Sequence, residues 1–238
     1  MQADSALVTE VIPGNMAHTS GTQDAWDRVV LHATVSECVD GGAHNTGVYF
    51  QSPNAGGLAQ YVTDPSATVQ CREETTVCWH APPNERSVGI EMCDPQTGDP
   101  ARWADPAHAA MLKRTAALVA DICHRRGIPL VRLSVADLRA GKRGICGHID
   151  VAQAFGQSNH TDPEHAGAFP WDHFMSLLTD SGVLTMDAEV KQAFADLTTQ
   201  INKLGALLEG KAKDDDPTHV ALFDLDAKLN RLLTKAGA

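Results

Sequence analysis

The sequence predicts an α/β fold, a mixed central β-sheet flanked by helices, followed by a C-terminal helical hairpin or coiled-coil segment. Three observations carry that expectation. Short apolar runs alternate with turn-forming clusters through the first two thirds of the chain, one well-capped amphipathic helix stands among them, and the composition changes beyond residue 185. Strands and helices alternating in this way pack as a sheet covered by helices.

The elements follow in order. Residues 28–34, Arg-Val-Val-Leu-His-Ala-Thr, form a continuous apolar run rather than an alternating one, which predicts a strand buried on both faces. Gly41, Gly42, Gly47 and the stretch Ser52-Pro53-Asn54-Ala55-Gly56-Gly57 mark loops around a short helix near residues 45–51. Strands around 58–63 and 67–71 are joined by Asp64-Pro65-Ser66, which has hairpin chemistry. Ser87 to Cys93 reads as another strand, ended by Asp94-Pro95. A helix runs from about 106 to 126, with Asp105 as cap, Pro106 in the first turn and Gly127 at its end. Met111, Thr115, Leu118, Val119 and Ile122 share its apolar face. Leu130 to Ser134 is expected as a strand and Asp172 to Thr179 as a final helix, closing a domain over residues 1–182.

In the tail, residues 186–238, Val190, Phe194, Leu197, Ile201, Leu204 and Leu208 follow heptad spacing. After the charged linker Glu209 to Pro217, Leu222, Leu225, Leu229 and Leu232 repeat it. Helix pairing, within the chain or as a homo-oligomer, is the expectation, with a hairpin docked on the preceding domain and a wall-association element as the alternatives. Phe194 and Phe223 are the tail's only aromatics, few for a carbohydrate-binding surface.

Composition narrows the function. The chain has 238 residues and a formal charge of −11, with no Lys/Arg block, which argues against nucleic acid as a partner. No apolar run approaches the ~20 residues of a membrane helix, and Met1 to Asn15 lacks the pattern of a signal peptide. The six cysteines contain no C-x-x-C pair and are expected as reduced core residues, although Cys71 and Cys78 are spaced to close a small loop in an oxidising compartment.

The histidines carry the chemistry. His32 lies in a buried strand, where it is either a hydrogen-bonded core residue or a ligand. His148 sits in Gly-Ile-Cys-Gly-His-Ile-Asp-Val, and Asp162 in His-Thr-Asp-Pro, where a turn-starting carboxylate is the alternative. Two imidazoles and one carboxylate from separate segments make a three-ligand zinc site with an open fourth position.

Val-Val-Leu-His-Ala-Thr, Val-Cys-Trp-His-Ala, Ser-Val-Gly-Ile-Glu-Met, Gly-His-Ile-Asp-Val and His-Thr-Asp-Pro…Phe-Pro-Trp occur in the order seen in zinc N-acetylmuramoyl-L-alanine amidases. Over about residues 26–180 the chain resembles this amidase type 2 family, related to the peptidoglycan recognition proteins, and is most similar to endolysins of phages infecting actinobacteria. The resemblance implies His32, His148 and Asp162 as ligands of Zn2+ and Glu91 as the catalytic glutamate. It places His160 where many members carry an oxyanion-stabilising lysine. Trp79 and His80 are expected in the substrate groove, Trp79 as a rim or core aromatic. Gln60 stands there in place of a common histidine, and Glu164-His165 replaces the usual glycine beside the metal. Cys146 is a competing thiolate ligand, but Asp162 fits the motif better.

The implied reaction is hydrolysis of the amide between N-acetylmuramic acid and L-alanine in peptidoglycan. A lysin made in the host cytoplasm and acting at the cell wall fits a chain without a visible export signal. The alternatives are a non-catalytic peptidoglycan-binding protein and a cytoplasmic amidase that recycles muropeptides.

Overall fold

The computed structural model describes residues 1–96, 99–164 and 169–180. The tail beyond residue 185 lies outside the described residues. The strands are β1 (Glu10–Val11), β2 (Thr19–Thr22), β3 (Arg28–Ala33), β4 (Tyr61–Thr63), β5 (Thr68–Gln70), β6 (Thr76–Cys78), β7 (Ser87–Met92) and β8 (Gly144–Gly147). The helices are α1 (Gly42–Tyr49), α2 (Pro106–Arg126), α3 (Val135–Arg139), α4 (His148–Phe155) and α5 (Trp171–Asp180). The main sheet has the order β1-β5-β4-β7-β3-β8, and β2 pairs with β6 separately. Strands β4, β7, β3 and β8 run parallel, while β5 folds back antiparallel on β4.

The apolar run of β3 has a direct tertiary counterpart. All six residues are buried, and the strand pairs on both edges, with β7 in the register His32↔Glu91 and with β8 in the register Leu31↔Gly147. The expected hairpin forms, with Asp64 organising its turn by accepting from Ser66 N (2.7 Å) and Ala67 N (2.6 Å). Helix α2 begins where Asp105 accepts from His108 N at 2.9 Å and ends at Gly127, whose φ of 62° suits glycine. Its buried face includes Met111, Leu112, Leu118, Val119 and Ile122. Each side chain of this size contributes roughly 1.5–3 kcal/mol on burial. Helix α5 packs on α2 through Phe174 and Leu178 of the same core.

Some expectations need correction. Leu130 to Ser134 is not a strand; it makes a single parallel bridge, Arg132↔Ile145. Ser134 already serves as cap of α3, accepting from Asp137 N, so the extended segment stops before a ladder can form. The strand expected at 58–63 is reduced to β4, because the Gln60 carbonyl accepts from both Cys71 N and Arg72 N and breaks the regular pairing. Cys71 and Cys78 are buried free thiols, as are the other four cysteines. No helix among the described residues is long and apolar enough to cross a membrane.

Candidate metal centre and substrate groove

The functional side chains converge at the carboxyl ends of the parallel strands, where open α/β sheets place their ligands. His32 lies one residue from the end of β3, and Glu91 is its register neighbour on β7. His148 opens α4 immediately after β8. Asp162 comes from the following loop, pinned there because its carbonyl accepts from Ile149 N at 2.9 Å. Gly147 makes this approach feasible: a Cβ at that position would lie 2.8 Å from Pro163 Cδ. Gly147 is therefore a spacing device for the Asp162-Pro163 loop, whereas Gly144 makes room for Val131 and Leu133.

His32, His148 and Asp162 are all buried, with one donor atom from each lying within 4.8 Å of the others. His32 Nδ1 is 3.1 Å from Asp162 Oδ2. His148 Nδ1 lies 3.3 Å from Asp162 Oδ1 and lacks the alignment of a hydrogen bond, which leaves a buried ring nitrogen without a partner. Such an orphan is costly unless something is bound to it. Two nitrogen donors and one carboxylate form a donor set that fits zinc with a coordination position left over. Cys146 is not among the donors. It is packed in a separate apolar cluster with Val30 and Leu133, and burial pushes its thiol up to about 12.

The electrostatics separate the acids from the imidazoles. Burial opposes the Asp162 charge, yet His148 and His32 hold its carboxyl well below the usual range. Burial lowers the His148 imidazole and lowers His80 further, with His32 and His148 adding to the effect at His80. Glu91 is pushed up to about 8, first by burial and then by the nearby Asp162 charge. A bound cation would counter the second effect.

A cavity of about 1090 Å³ opens over this cluster. His32, His80, Glu91, His148, His160 and Asp162 all border it. His160 is largely exposed, stacks on His148 with ring centroids 4.3 Å apart, and brings Nδ1 within 3.3 Å of Asp162 Oδ1. Trp79 is a rim aromatic, half-exposed and fixed by an Nε1 hydrogen bond to Ser20 Oγ. Tyr49, also half-exposed, lines the cavity as well and was not singled out from sequence. Its position depends on how α1 docks, and no local motif announces that.

Two expected groove residues differ in detail. Gln60 does not reach the cavity. It is fully buried, with Nε2 donating to Thr76 O (2.8 Å) and Oε1 accepting from Gly89 N (2.7 Å), so it ties sheet segments together. His80 borders the cavity but is buried behind His32, with its Nδ1 3.0 Å from His32 Nε2. Glu164, two residues after Asp162, accepts from Trp171 Nε1 and Phe169 N.

The arrangement defines an α/β protein with a buried cluster of two imidazoles and a carboxylate that could hold a cation, at the floor of an open groove. The N-acetylmuramoyl-L-alanine amidase family (Amidase_2) matches residues 22–165, more than half of the chain, and the chain belongs to that family. Among solved structures, the fold is similar to the Staphylococcus aureus hydrolase AmiA in complex with its ligand, at 14% identity and TM-score 0.56, covering 78% of this chain and 94% of that one. It is also similar to a mutant endolysin from Bacillus subtilis, at 16% identity and TM-score 0.51, covering 72% of this chain and 99% of that one. The catalytic domain of XlyA gives 18% identity with the same TM-score and coverage. At these identities the likeness concerns the fold. Comparison with curated protein sequences gives no match.

Proposed function

We propose that the chain is a zinc-dependent N-acetylmuramoyl-L-alanine amidase, hydrolysing the amide between the lactyl group of N-acetylmuramic acid and L-alanine of the stem peptide, and that it serves as a phage lysin. The observation that carries this reading is the cluster of His32, His148 and Asp162, closed by a buried ring nitrogen without a partner and opening onto the groove beside Glu91. Family membership supports the choice of bond.

His32, His148 and Asp162 would hold the zinc, which when bound supplies Lewis acidity, acidifying water toward neutral pH and polarising a carbonyl. Glu91, raised toward neutral pH by its surroundings, is suited to take the proton released as water attacks the amide carbon and to return it to the leaving amine nitrogen. His160 at the groove edge is suited to donate a hydrogen bond to the oxygen that gains charge. Trp79 and Tyr49 offer apolar walls to the glycan and peptide. In this reading residues 1–182 form the catalytic domain and residues 186–238 a helix-pairing tail.

The test is digestion of purified peptidoglycan, with the released groups identified by mass spectrometry. New muramic-acid lactyl carboxyls and L-alanine amines, lost with chelator and restored by zinc, are expected. Full activity in metal-free protein, verified by elemental analysis, overturns the zinc reading. Cleavage confined to soluble muropeptides overturns the lytic role in favour of recycling.

A further inference from the structure

Behind His32 runs a chain of polar contacts that the proposed reaction does not use. His32 Nε2 is 3.0 Å from His80 Nδ1, His80 Nε2 is 3.0 Å from Ser87 Oγ, and Ser87 Oγ is 2.6 Å from the carbonyl oxygen of Asn84. The side chains of His32, His80 and Ser87 are all buried, and His80 borders the groove only from behind His32. The direction of the chain follows from counting protons. A carbonyl only accepts, so Ser87 spends its single proton on Asn84. Ser87 Oγ must then accept from His80 Nε2–H. A neutral imidazole carries one N–H, so His80 Nδ1 presents a lone pair and accepts from His32 Nε2–H. His32 Nδ1 is thereby left to face Asp162, able to hold a proton or a metal ion without any change behind it. Reversing the chain would put the proton on His32 Nδ1, turn the Ser87 proton toward His80 and leave the Asn84 carbonyl without its 2.6 Å partner.

The backbone is built to hold this arrangement. Asn84 Oδ1 accepts from His80 N (3.0 Å) and Ala81 N (2.9 Å), so the same residue holds both His80 and Ser87 in place. Gly89 on β7 leaves room for the ring: a Cβ there would lie 2.7 Å from His80 Cγ and 2.8 Å from its Nδ1. The glycine of Ser-Val-Gly-Ile-Glu-Met is thus explained by contact with an imidazole.

We infer that His80 and Ser87, anchored on the Asn84 carbonyl, are positioning residues that set the His32 tautomer and so create the metal-binding lone pair on Nδ1. This inference rests on the zinc reading above. Hydrogen-bond partners behind metal-bound histidines typically change metal affinity 10–100-fold when removed.

The experiment uses the full chain. Zinc affinity is measured by competition with a chromophoric chelator, and histidine tautomers by long-range 1H–15N NMR of the zinc-loaded wild type. The spectra should show His32 protonated at Nε2 and metal-bound at Nδ1, with His80 protonated at Nε2. His80→Phe should weaken zinc binding by about 10–100-fold and Ser87→Ala by about tenfold, while His80→Gln, which offers a carbonyl oxygen to His32, should recover most of the loss. Ser87→Ala changes little volume and guards against misfolding of His80→Phe, with circular dichroism as the check. A role confined to stability would lower the melting temperature and leave zinc affinity in the folded variants untouched. That result, or a wild-type His80 protonated at Nδ1, overturns the inference. Wild-type protein that binds zinc alongside unaffected variants overturns the inference alone; wild-type protein that binds no zinc overturns the zinc reading together with it.

Discussion

Glu74 and Asp162 are both carboxylates buried in the domain, and they are matched in opposite ways. Glu74 accepts from Arg125 at 2.7 and 3.0 Å, from Arg126 Nε at 2.5 Å and from the Tyr61 hydroxyl at 2.7 Å. Burial opposes its charge, but the hydrogen bonds and charge of Arg125, with help from Tyr61 and Arg126, keep its carboxyl below the ordinary value. Asp162 is surrounded by the imidazoles of His32, His148 and His160 at 3.1–3.3 Å. An imidazole carries no permanent charge. The chain itself supplies the cations around Glu74 and closes that cluster. Around Asp162 it supplies imidazoles, an orphaned ring nitrogen and an open side, and on the proposed zinc reading the cation would come from solution. A buried carboxylate thus signals stability or function according to what faces it.

The comparison breaks most decisively at the imidazoles. His148→Ala or His32→Ala should abolish stoichiometric zinc binding and peptidoglycan hydrolysis, since two protein ligands do not make the site. Elemental analysis of the purified variants checks this; one zinc per chain retained would show that the cluster is structural like that of Glu74. Glu91→Gln sharpens the contrast by leaving all three donors intact. Zinc should stay bound while kcat falls ~10²–10⁴-fold, and wild-type turnover would remove Glu91 from proton transfer.

On the closed side, Glu74→Gln should cost about 1–3 kcal/mol in denaturant unfolding, because it takes the charge from a buried acceptor that two half-buried guanidinium groups are hydrogen-bonded to. Zinc stoichiometry should not change. His160→Ala is expected to lower turnover about tenfold, less than loss of a fixed oxyanion donor, because this side chain is exposed. His160→Lys should be the best-tolerated replacement, and kinetics on soluble muropeptide would decide.

The smallest effect belongs to a third polar cluster, where Asp94 accepts from Arg102 Nε (2.7 Å) and His108 Nε2 (3.0 Å). Burial works against the His108 charge, but hydrogen bonds to Asp94 and Asp105 raise its imidazole above the ordinary value. Burial likewise works against Asp94, whose carboxyl is lowered by His108 and Arg102. The His108 contribution is therefore complete below pH ~6.5 and lost as pH rises through its raised folded value. The Asp94 contribution is present above pH ~3.9 and lost as pH falls through its depressed one. His108→Gln should cost about 1 kcal/mol near pH 5–6 and less toward pH 9, read as a melting-temperature difference that narrows with pH. A difference independent of pH would mean that His108 acts through packing.

Much of the domain was legible in the amino-acid order because its signals are local. Asp105, Pro106 and Gly127 bound α2 through contacts within one turn, and the turn at Asp64 is made by residues two and three positions away. The unbroken apolar run of β3 announced a strand covered on both faces. His32, His148 and Asp162 stood out by residue type and motif, and the fold brings them together.

Other features were decided by tertiary structure. Strand β8 has two glycines in four residues and little strand propensity of its own; it exists because β3 offers it an edge. Gln60 turns inward because its carbonyl serves two amides of the returning strand and its side chain finds Thr76 and Gly89. Leu130 to Ser134 had a strand's composition but no room for a ladder before the cap at Ser134. The relay from His32 to Asn84 joins residues 48 positions apart at its first step, and its direction depends on a carbonyl that sequence cannot aim. Periodicity and capping are short-range properties that the order of residues determines by itself. The direction of a side chain and the sharing of protons depend on register and on what another segment places opposite, and only the folded chain settles those.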